Sequence, residues 1–433
     1  MKKTKLSIRF WIALTIFSLV GQVAWVVENM YFNVFIYKMF HASASDISAM
    51  VSASAIAATL TTIIIGALSD KIGKRKLFIC GGYILWGISI ACFAFIRIDF
   101  INKLIPMAVS AASVGVSLVI LMDCVMTFFG SAANDACFNA WVTDVTDDTN
   151  RGAAEGINSM MPLVAILVVF GGFMGFDLNN AESWTIIYLI IGIAVLLLGI
   201  AGVFLIKDVP VDTSYNQNYF GNVLYGFRPS VIKKNKLFYI ILVAFAVFCI
   251  SIQIFMPYLI LYYNVSLGMN NYVLIMAPAV IVAAIVTAFY GRVYDRFGFK
   301  RAVMPAVGIL MLGYVLLYIF KTTAFVFIGS LFMMSGYLMG MAVFGAMIRD
   351  YTPENRAGMF QGLRIVGQVL IPGIIGPWIG ALVLQNADKV INDDGTSSFI
   401  PNQNIFLAAF IAACFIWLIL ALIFKLIKKA KGE

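Results

Sequence analysis

The sequence is poor in charged residues, which occupy only 12% of its 433 positions, whereas a soluble domain carries about a quarter. Hydrophobic residues make up 62%. A chain of this composition cannot hide its apolar surface from water in a soluble fold. It can do so in a lipid bilayer, where helices or closed barrels satisfy the backbone groups. The apolar runs are long and continuous rather than alternating, so they predict an all-α membrane protein.

Metal-binding and catalytic patterns are also scarce. The single histidine, His41, lies in a predicted loop with no histidine or cysteine neighbour. The six cysteines lie in apolar runs without CxxC spacing, which argues against a metal site and a disulfide framework. We find no nucleophile–base set or phosphate-binding loop, so the sequence predicts neither an enzyme nor a cofactor. Membrane topology explains the net charge of +9 better than nucleic-acid binding does.

Twelve apolar segments are long enough to cross a membrane. The first follows a short basic N-terminus without a clean cleavage site, so it predicts an uncleaved span. The predicted spans are 10–37, 47–69, 77–97, 104–135, 153–176, 183–206, 238–263, 271–292, 302–320, 323–348, 357–384 and 404–426. The longest connection divides them six and six. We therefore expect an N-terminal half (1–206), a linker (207–237) and a C-terminal half (238–433).

Lysine and arginine are distributed unevenly between the connecting segments. If the N-terminus is cytoplasmic, 24 of the 30 basic residues fall in cytoplasmic segments and five in outer loops. Membrane proteins retain their basic residues on the cytoplasmic side. We therefore expect a multi-pass protein of a bacterial plasma membrane with both termini in the cytoplasm.

The two predicted halves share sequence motifs. A G-x-x-x-D-x-x-G-x-[RK] pattern follows spans 2 and 8. The first copy has Gly66, Asp70, Gly73 and Arg75, and the second has Gly291, Asp295, Gly298 and Lys300, followed directly by Arg301. A second matching pair follows spans 4 and 10, namely Asp144 with Arg151 and Asp350 with Arg356. An internal repeat of this kind is typical of transporters whose binding site lies at the repeat interface.

In these motifs the chain resembles the major facilitator superfamily, over essentially its whole length. The resemblance implies twelve membrane helices in two pseudo-symmetric six-helix halves. It also implies that the motif loops are gates that latch an outward-facing state and do not bind substrate. A basic loop that only obeys membrane topology is the simpler alternative, but it does not explain two copies in equivalent loops.

Polar side chains inside a span are costly, so they are candidate site residues. One helical face of span 1 carries Gln22, Trp25, Asn29 and Asn33, with Glu28 close by. Amides donate and accept hydrogen bonds, and an aromatic ring stacks on a sugar, so this face suits a hydroxyl-rich ligand. Hydrogen bonding between helices is the alternative interpretation.

Span 4 carries an acidic residue near its predicted mid-depth, Asp123, whose helical face continues through Thr127, Ser131 and Asn134. A charged carboxylate is expensive at that depth. We therefore predict that Asp123 or Glu28 binds a coupling proton, and that Asp123 and Thr127 contact the ligand. A buried acid held only by polar neighbours is the alternative.

Spans 7 and 11 complete the predicted cavity. In span 7 we assign Gln253 and Tyr258 to the cavity, and Tyr262 and Tyr263 to an aromatic belt at the membrane surface. Span 11 contributes Gln361, Arg364 and Gln368 at i, i+3 and i+7. Its arginine is the only basic residue away from the ends of a predicted span. It either faces the cavity or pairs with an acid, for which Asp123, Asp135 and Glu28 are the possible partners, or it extends to the cytoplasmic surface. Our specific hypothesis is that Asp123 and Arg364 face one central cavity.

Short segments resemble one branch of the superfamily. Gly21-Gln22-Val-Ala-Trp25 in span 1 and segment 140–144 are similar to the sucrose/proton symporters and the wider glycoside–pentoside–hexuronide cation symporters. This resemblance implies proton-coupled uptake of a saccharide or glycoside. Sodium-using melibiose-type members carry paired aspartates in span 2, but no acidic residue lies between Asp46 and Asp70. That departure favours a co-transported proton over sodium.

One segment supports an alternative function. Residues 373–380 in span 11 are similar to the glycine–proline motif of drug/proton antiporters, although those proteins carry it in span 5. Proton-coupled efflux is therefore the alternative, and close helix packing also explains the glycines. In either case the partners are a small solute and the lipid bilayer, and we expect a functional monomer.

Overall fold

The computed structural model describes residues 6–105, 110–147, 150–208, 224–352, 362–392 and 396–430. Within these residues the chain is almost entirely helical, apart from one two-stranded hairpin. The chain forms two compact units, Met1–Phe220 and Gly221–Glu433, which we call the N-terminal and C-terminal halves. Two predicted site residues, Arg356 and Gln361, lie outside the described residues.

Six apolar helices of membrane-spanning length make up the described part of the N-terminal half. They are α1 (Ile8–Phe40), α2 (Ala44–Ile72), α3 (Arg75–Phe95), α4 (Ala111–Val145), α5 (Arg151–Phe173) and α6 (Ala181–Leu205). The predicted bounds of span 4, 104–135, are wrong at both ends. Ser110 caps the start of α4 by accepting a hydrogen bond from the backbone N–H of Ser113, and the helix continues to Val145. A separate short helix, Ile98–Leu104, precedes it.

The C-terminal half also contains six such helices in its described residues. They are α7 (Lys236–Ser266), α8 (273–297), α9 (299–319), α10 (Thr323–Asp350), α11 (Gly362–Leu384) and α12 (Asn404–Ala430). The predicted loop at 292–301 is wrong, because α8 and α9 follow each other directly within one segment, Val273–Ile319. Gly298 separates them with a φ of 74°, which glycine adopts without steric cost. The predicted all-α fold of two six-helix halves is confirmed.

Glycines allow the closest helix contacts in both halves. An added Cβ on Gly87 of α3 would lie 2.6 Å from the carbonyl oxygen of Gly192 in α6 and would overlap the backbone of Leu196. In the C-terminal half, Gly313 of α9 and Gly336 of α10 make the same kind of backbone contact. Small residues at such crossings let membrane helices pack backbone to backbone.

Four of the membrane helices contain a π-helical segment within the described residues. These segments are Val27–Tyr31 in α1, Ser131–Phe138 in α4, Tyr262–Ser266 in α7 and Val366–Leu370 in α11. A π-helical turn holds more residues than an α-helical turn, and such turns are frequent at functional sites. Residues beyond each segment therefore face a different direction from the one that α-helical spacing predicts.

The predicted aromatic belt in span 7 is wrong. Tyr262 and Tyr263 are buried in the C-terminal half, and the Tyr263 hydroxyl lies 2.7 Å from the hydroxyl of Ser330 in α10. Between α11 and α12, strands β1 (Lys389–Ile391) and β2 (Ser397–Phe399) form the antiparallel hairpin. The burial of Tyr262 and Tyr263 makes the end of α7 part of the packed interior rather than part of an exposed surface.

Candidate functional site

Glu28 lies at the centre of a buried polar cluster in the N-terminal half. The π-helical segment of α1 carries this residue, and its side chain points at α2 and α4. Its Oε1 atom accepts hydrogen bonds from the hydroxyls of Ser54, at 2.5 Å, and Thr127, at 2.8 Å. Those two hydroxyls are also 3.0 Å apart. Three helices therefore meet at one carboxyl oxygen.

Asp123 belongs to the same cluster. It lies one turn before Thr127 on α4, is only 2% exposed, and the charge of Glu28 acts on it. Asp123 Oδ1 and Glu28 Oε2 are both buried without a hydrogen-bond partner among the described residues. No basic side chain in the described N-terminal half forms an ion pair with either acid. The cluster thus holds two acids with free oxygen atoms and no compensating cation from its own half.

The polar face predicted on span 1 is divided by the π-helical segment. Gln22 and Trp25, before the segment, are half-buried. Asn29 is exposed and donates to the Trp25 carbonyl oxygen at 2.8 Å. Asn33, after the segment, is fully buried and donates to the Asn29 carbonyl oxygen at 3.0 Å. The four side chains therefore do not share one environment, and their common role in binding a ligand stays a prediction.

The predicted face of span 4 also changes direction. Asn134 points to α3, where its Oδ1 atom accepts a hydrogen bond of 2.9 Å from the Tyr83 hydroxyl. Gly21 of α1 leaves the space for this contact, because an added Cβ would lie 2.7 Å from Asn134 Oδ1. The structure therefore takes Asn134 off the Asp123 face and assigns it to helix packing.

Arg364 lies among groups of its own half. Its Nε atom donates to Gln368 Oε1, one turn further along α11, at 3.2 Å. The guanidinium lies beside Gly345 of α10, and its charge acts on buried Cys249 of α7. The hypothesis that Arg364 and Asp123 share one cavity joins the two halves and stays a prediction.

The two predicted cavity residues of α7 differ in exposure. Gln253 is half-buried, and Gly376 of α11 packs against its backbone. Tyr258 has no exposed surface and donates a hydrogen bond of 3.3 Å to the carbonyl oxygen of Pro377. An added Cβ on Gly380 would lie 2.6 Å from the Tyr258 ring. The glycine–proline segment of α11 therefore packs against α7.

The first copy of the repeated motif forms a charge network. Arg75 pairs with Asp70 and, through Nε at 3.0 Å, with Asp144. It also donates to the Ser69 hydroxyl at 2.6 Å. Gly66 accepts a hydrogen bond from Ser69, and Gly73 ends α2 in the left-handed conformation. The motif thus ties the end of α2, the start of α3 and the end of α4 together.

The other predicted gate residues make different contacts. Arg151 donates to the backbone carbonyl oxygens of Thr143 and Thr146. In the second motif copy, which starts at Gly291, Arg301 lies over the ring of Phe297 and Asp350 accepts a hydrogen bond from Tyr294. The described C-terminal half contains no ion pair that involves Asp295. The two copies therefore match in sequence but not in their contacts.

Replacing Arg75 with methionine should destabilise the protein by about 2 kcal/mol. Arg75 is 4% exposed, and both carboxylates would lose their cation. Breaking a fully buried pair costs about 3–5 kcal/mol, and these carboxylates are about one quarter exposed. The apparent melting temperature of the purified protein measures the effect. Lys74→Met is the control, because it removes an exposed neighbouring charge and should leave the melting temperature unchanged. Equal melting temperatures for the two variants would contradict the role of the network.

Sequence reasoning missed several residues of the cluster and the network. Ser54 and Ser69 complete hydrogen bonds to Glu28 and Arg75, and Tyr83 holds Asn134. Their only sequence signal was a polar atom inside an apolar run, which many packing residues share.

Comparisons with known proteins agree on one fold. The sequence matches the model of the Major Facilitator Superfamily over residues 10–343 and 280–433. No curated protein sequence matches the chain. Among solved structures, a mutant of the nucleoside transporter NupG aligns with a TM-score of 0.74 at 12% identity, covering 95% of this chain and 98% of that one.

Two further structures show the same likeness. A bacterial homologue of the human lysosomal transporter Spinster aligns with a TM-score of 0.69 at 15% identity, covering 97% of each chain. The xylose transporter XylE from E. coli aligns with a TM-score of 0.64 at 15% identity, covering 94% of this chain and 97% of that one.

Proposed function

The chain belongs to the Major Facilitator Superfamily, and from this premise we propose that it takes up a sugar or glycoside together with protons by alternating access of its two halves. Secondary transport itself is what the family and the transporter fold support. The choice of ion and solute depends on the residues inside the helices.

The observation that carries the proposal is the pair of acids in the N-terminal half. Glu28 and Asp123 lie in the apolar interior, each with an unpartnered oxygen, without a basic partner in the described part of their half. Two negative charges in such a place repel each other and lose their hydration. A proton on one of them removes the repulsion and leaves a single charge to desolvate, and a proton that is bound and released in turn can energise transport.

A hydroxyl-rich solute is supported by polar and aromatic side chains within each half. Gln22 and Trp25 on α1 are half-buried and offer an amide and an aromatic face. Gln253 and Gln368 offer further amides in the C-terminal half, where Arg364 is also half-buried. The proteins with similar folds are described as transporters of nucleosides and of xylose. A nucleoside is itself a glycoside, so both solutes fall within the proposed class.

The orientation and setting remain those of the sequence prediction. We propose a monomer in a bacterial plasma membrane with cytoplasmic termini. The glycine–proline segment gives efflux no separate support, because packing against α7 accounts for Gly376 and Gly380.

Proteoliposomes that contain a pH-sensitive dye test the function. The purified protein is reconstituted in sodium-free buffer, and xylose, sucrose, melibiose, uridine and adenosine are added outside in turn. A symporter carries protons inward with its solute, so at least one sugar or nucleoside should acidify the lumen, whereas vesicles without protein should not respond.

The direction of the change in lumenal pH distinguishes uptake by symport from efflux by antiport. An ethidium-driven alkalinisation without any sugar response would replace uptake by drug antiport. Sodium-dependent uptake of a labelled solute without acidification of the lumen would replace the proton as the coupling ion. Failure of every probe with correctly folded protein would reject the proposed substrate class.

A further inference from the structure

Polar residues recur at every fourth position along α4. The series is Asp123, Thr127, Ser131, Asp135, Asn139 and Thr143. In a regular α-helix each step of four residues turns the side chain about 40° further round the axis. A series of this length would therefore wind away from its starting face. On α4 it does not, because its second part lies on the π-helical segment Ser131–Phe138.

The π-helical segment reverses the drift. It holds more residues per turn, so four residues fall short of a full turn there instead of exceeding it. The contacts confirm the common direction, because Thr127 bonds to Glu28 of α1 at 2.8 Å. Further along, the Trp25 indole of α1 lies next to the Asp135 carboxyl. The series thus follows the contact between α4 and α1.

Buried polar atoms lie along α4 between the Glu28–Asp123 pair and Asp135. Ser131 lies next to Asp135, yet its hydroxyl makes no hydrogen bond of normal geometry, and neither does the Trp25 indole N–H. Both atoms are buried. Buried polar groups without direct partners are the places where an ordered water bridges. A water between Ser131 and Asp135 would link them to the Thr127–Glu28 hydrogen bond one turn away.

Exposure increases along the series toward the end of α4. Asp123 is 2% exposed and Ser131 is fully buried, whereas Asp135 is half-buried and Asn139 is exposed. Asn139 Nδ2 donates to the Asp135 carbonyl oxygen at 3.2 Å, and Asn139 Oδ1 accepts from Asn158 of α5 at 3.5 Å. Asp135 is therefore the acid that stands between the buried pair and the exposed end.

We propose that Asp135 is a second proton-binding site, which passes protons between the Glu28–Asp123 pair and the end of the N-terminal half where Asn139 is exposed. This deepens the proposed function, because it supplies the route by which the coupling site exchanges its proton with water.

The transfer is a simple acid–base exchange. Protonated Asp135 gives its proton through a bridging water and the Ser131 and Thr127 hydroxyls to the Glu28 carboxylate. Asp135 becomes a carboxylate and Glu28 becomes a neutral acid, with no change in total charge. In the described residues, the titratable groups whose charge acts with Asp135 are Glu28 on α1 and Tyr83 on α3. A relay by a positioned acid contributes about 10²–10⁴ in rate.

Infrared spectroscopy of the lipid-reconstituted protein tests the relay without any solute. Protonated carboxyl groups have a carbonyl stretching band in the infrared spectrum. The band intensity that disappears in the Glu28→Gln variant is the signal of the Glu28–Asp123 pair. After a rapid rise in pH, Asp135→Asn should slow the decay of that band at least about tenfold, and Asp135→Glu should restore it. Asp99→Asn, at an exposed site outside the spans, should decay at the wild-type rate.

Ser131→Ala provides a second variant if Asp135→Asn does not fold. It removes the hydroxyl between the two sites and should slow the same decay. If the carbonyl band of either folded variant decays at the wild-type rate, the relay is overturned. It is also overturned if the Glu28–Asp123 pair of the wild-type protein does not change its protonation state after the rise in pH. Because no solute is present, these outcomes are independent of whether any sugar drives proton uptake.

Discussion

Replacing Asp123 with asparagine should abolish uphill accumulation of solute while leaving counterflow close to the wild-type rate. Asparagine has nearly the same size and stays polar, so the 2% exposed site keeps its packing. It cannot bind and release a proton. The carrier would still exchange solute across the membrane, but the proton gradient could no longer drive it, and accumulation would stop at equilibrium.

Accumulation and counterflow in the same proteoliposomes measure this effect, with a labelled solute from the set that acidifies the lumen. Glu28→Gln should behave in the same way, because Glu28 and Asp123 form one cluster. Asp99→Asn is the matched control, since Asp99 lies outside the spans with a side chain that is 62% exposed. Undiminished uphill uptake by Asp123→Asn would remove the coupling role from that residue.

Replacing Gly87 with leucine should destabilise the N-terminal half by at least about 3 kcal/mol, the upper end for overpacking. The new side chain would begin within 2.6 Å of the Gly192 carbonyl oxygen and would overlap the Leu196 backbone. Neither group is a flexible side-chain end, so α3 and α6 must move apart. The contacts that both helices make would weaken with this movement.

Gly81→Leu is the matched control for this prediction. Gly81 lies on the same helix, and an added Cβ there has no neighbour within 4 Å. Both variants gain the same helix propensity, about 1 kcal/mol over glycine. The yield of monodisperse protein and its apparent melting temperature should be lower for Gly87→Leu than for the wild type. Both should stay at the wild-type value for Gly81→Leu. Similar values for the two variants would show that the α3–α6 crossing is not a tight contact in the membrane.

Some of the candidate site could be predicted from the sequence. Glu28 and Asp123 are conspicuous because an acid inside an apolar run is expensive, and the repeated loops are recognisable from their spacing. Their partners were less accessible, because Ser54 is one of several serines in α2 and nothing in its local pattern points to Glu28. A hydrogen bond between distant segments depends on how the helices pack.

The errors have physical causes. The face drawn for span 4 assumed α-helical spacing, and a π-helical segment displaced Asn134 from it. A π-helical turn is stabilised by its surroundings rather than by the preference of its own residues. The bounds of span 4 were wrong for a related reason, because hydropathy does not register a cap such as Ser110.

The sequence by itself determined the class of this protein. Its long apolar runs, basic connections and duplicated loops specify twelve membrane helices in two halves, because these properties are local and additive along the chain. Only the tertiary structure decided which polar atoms meet. It joined Glu28 to α2 and α4, and gave Arg75 its two carboxylates while leaving the second motif copy with other contacts. Those pairings depend on the direction in which each helix turns its side chains and on the distance to its neighbour.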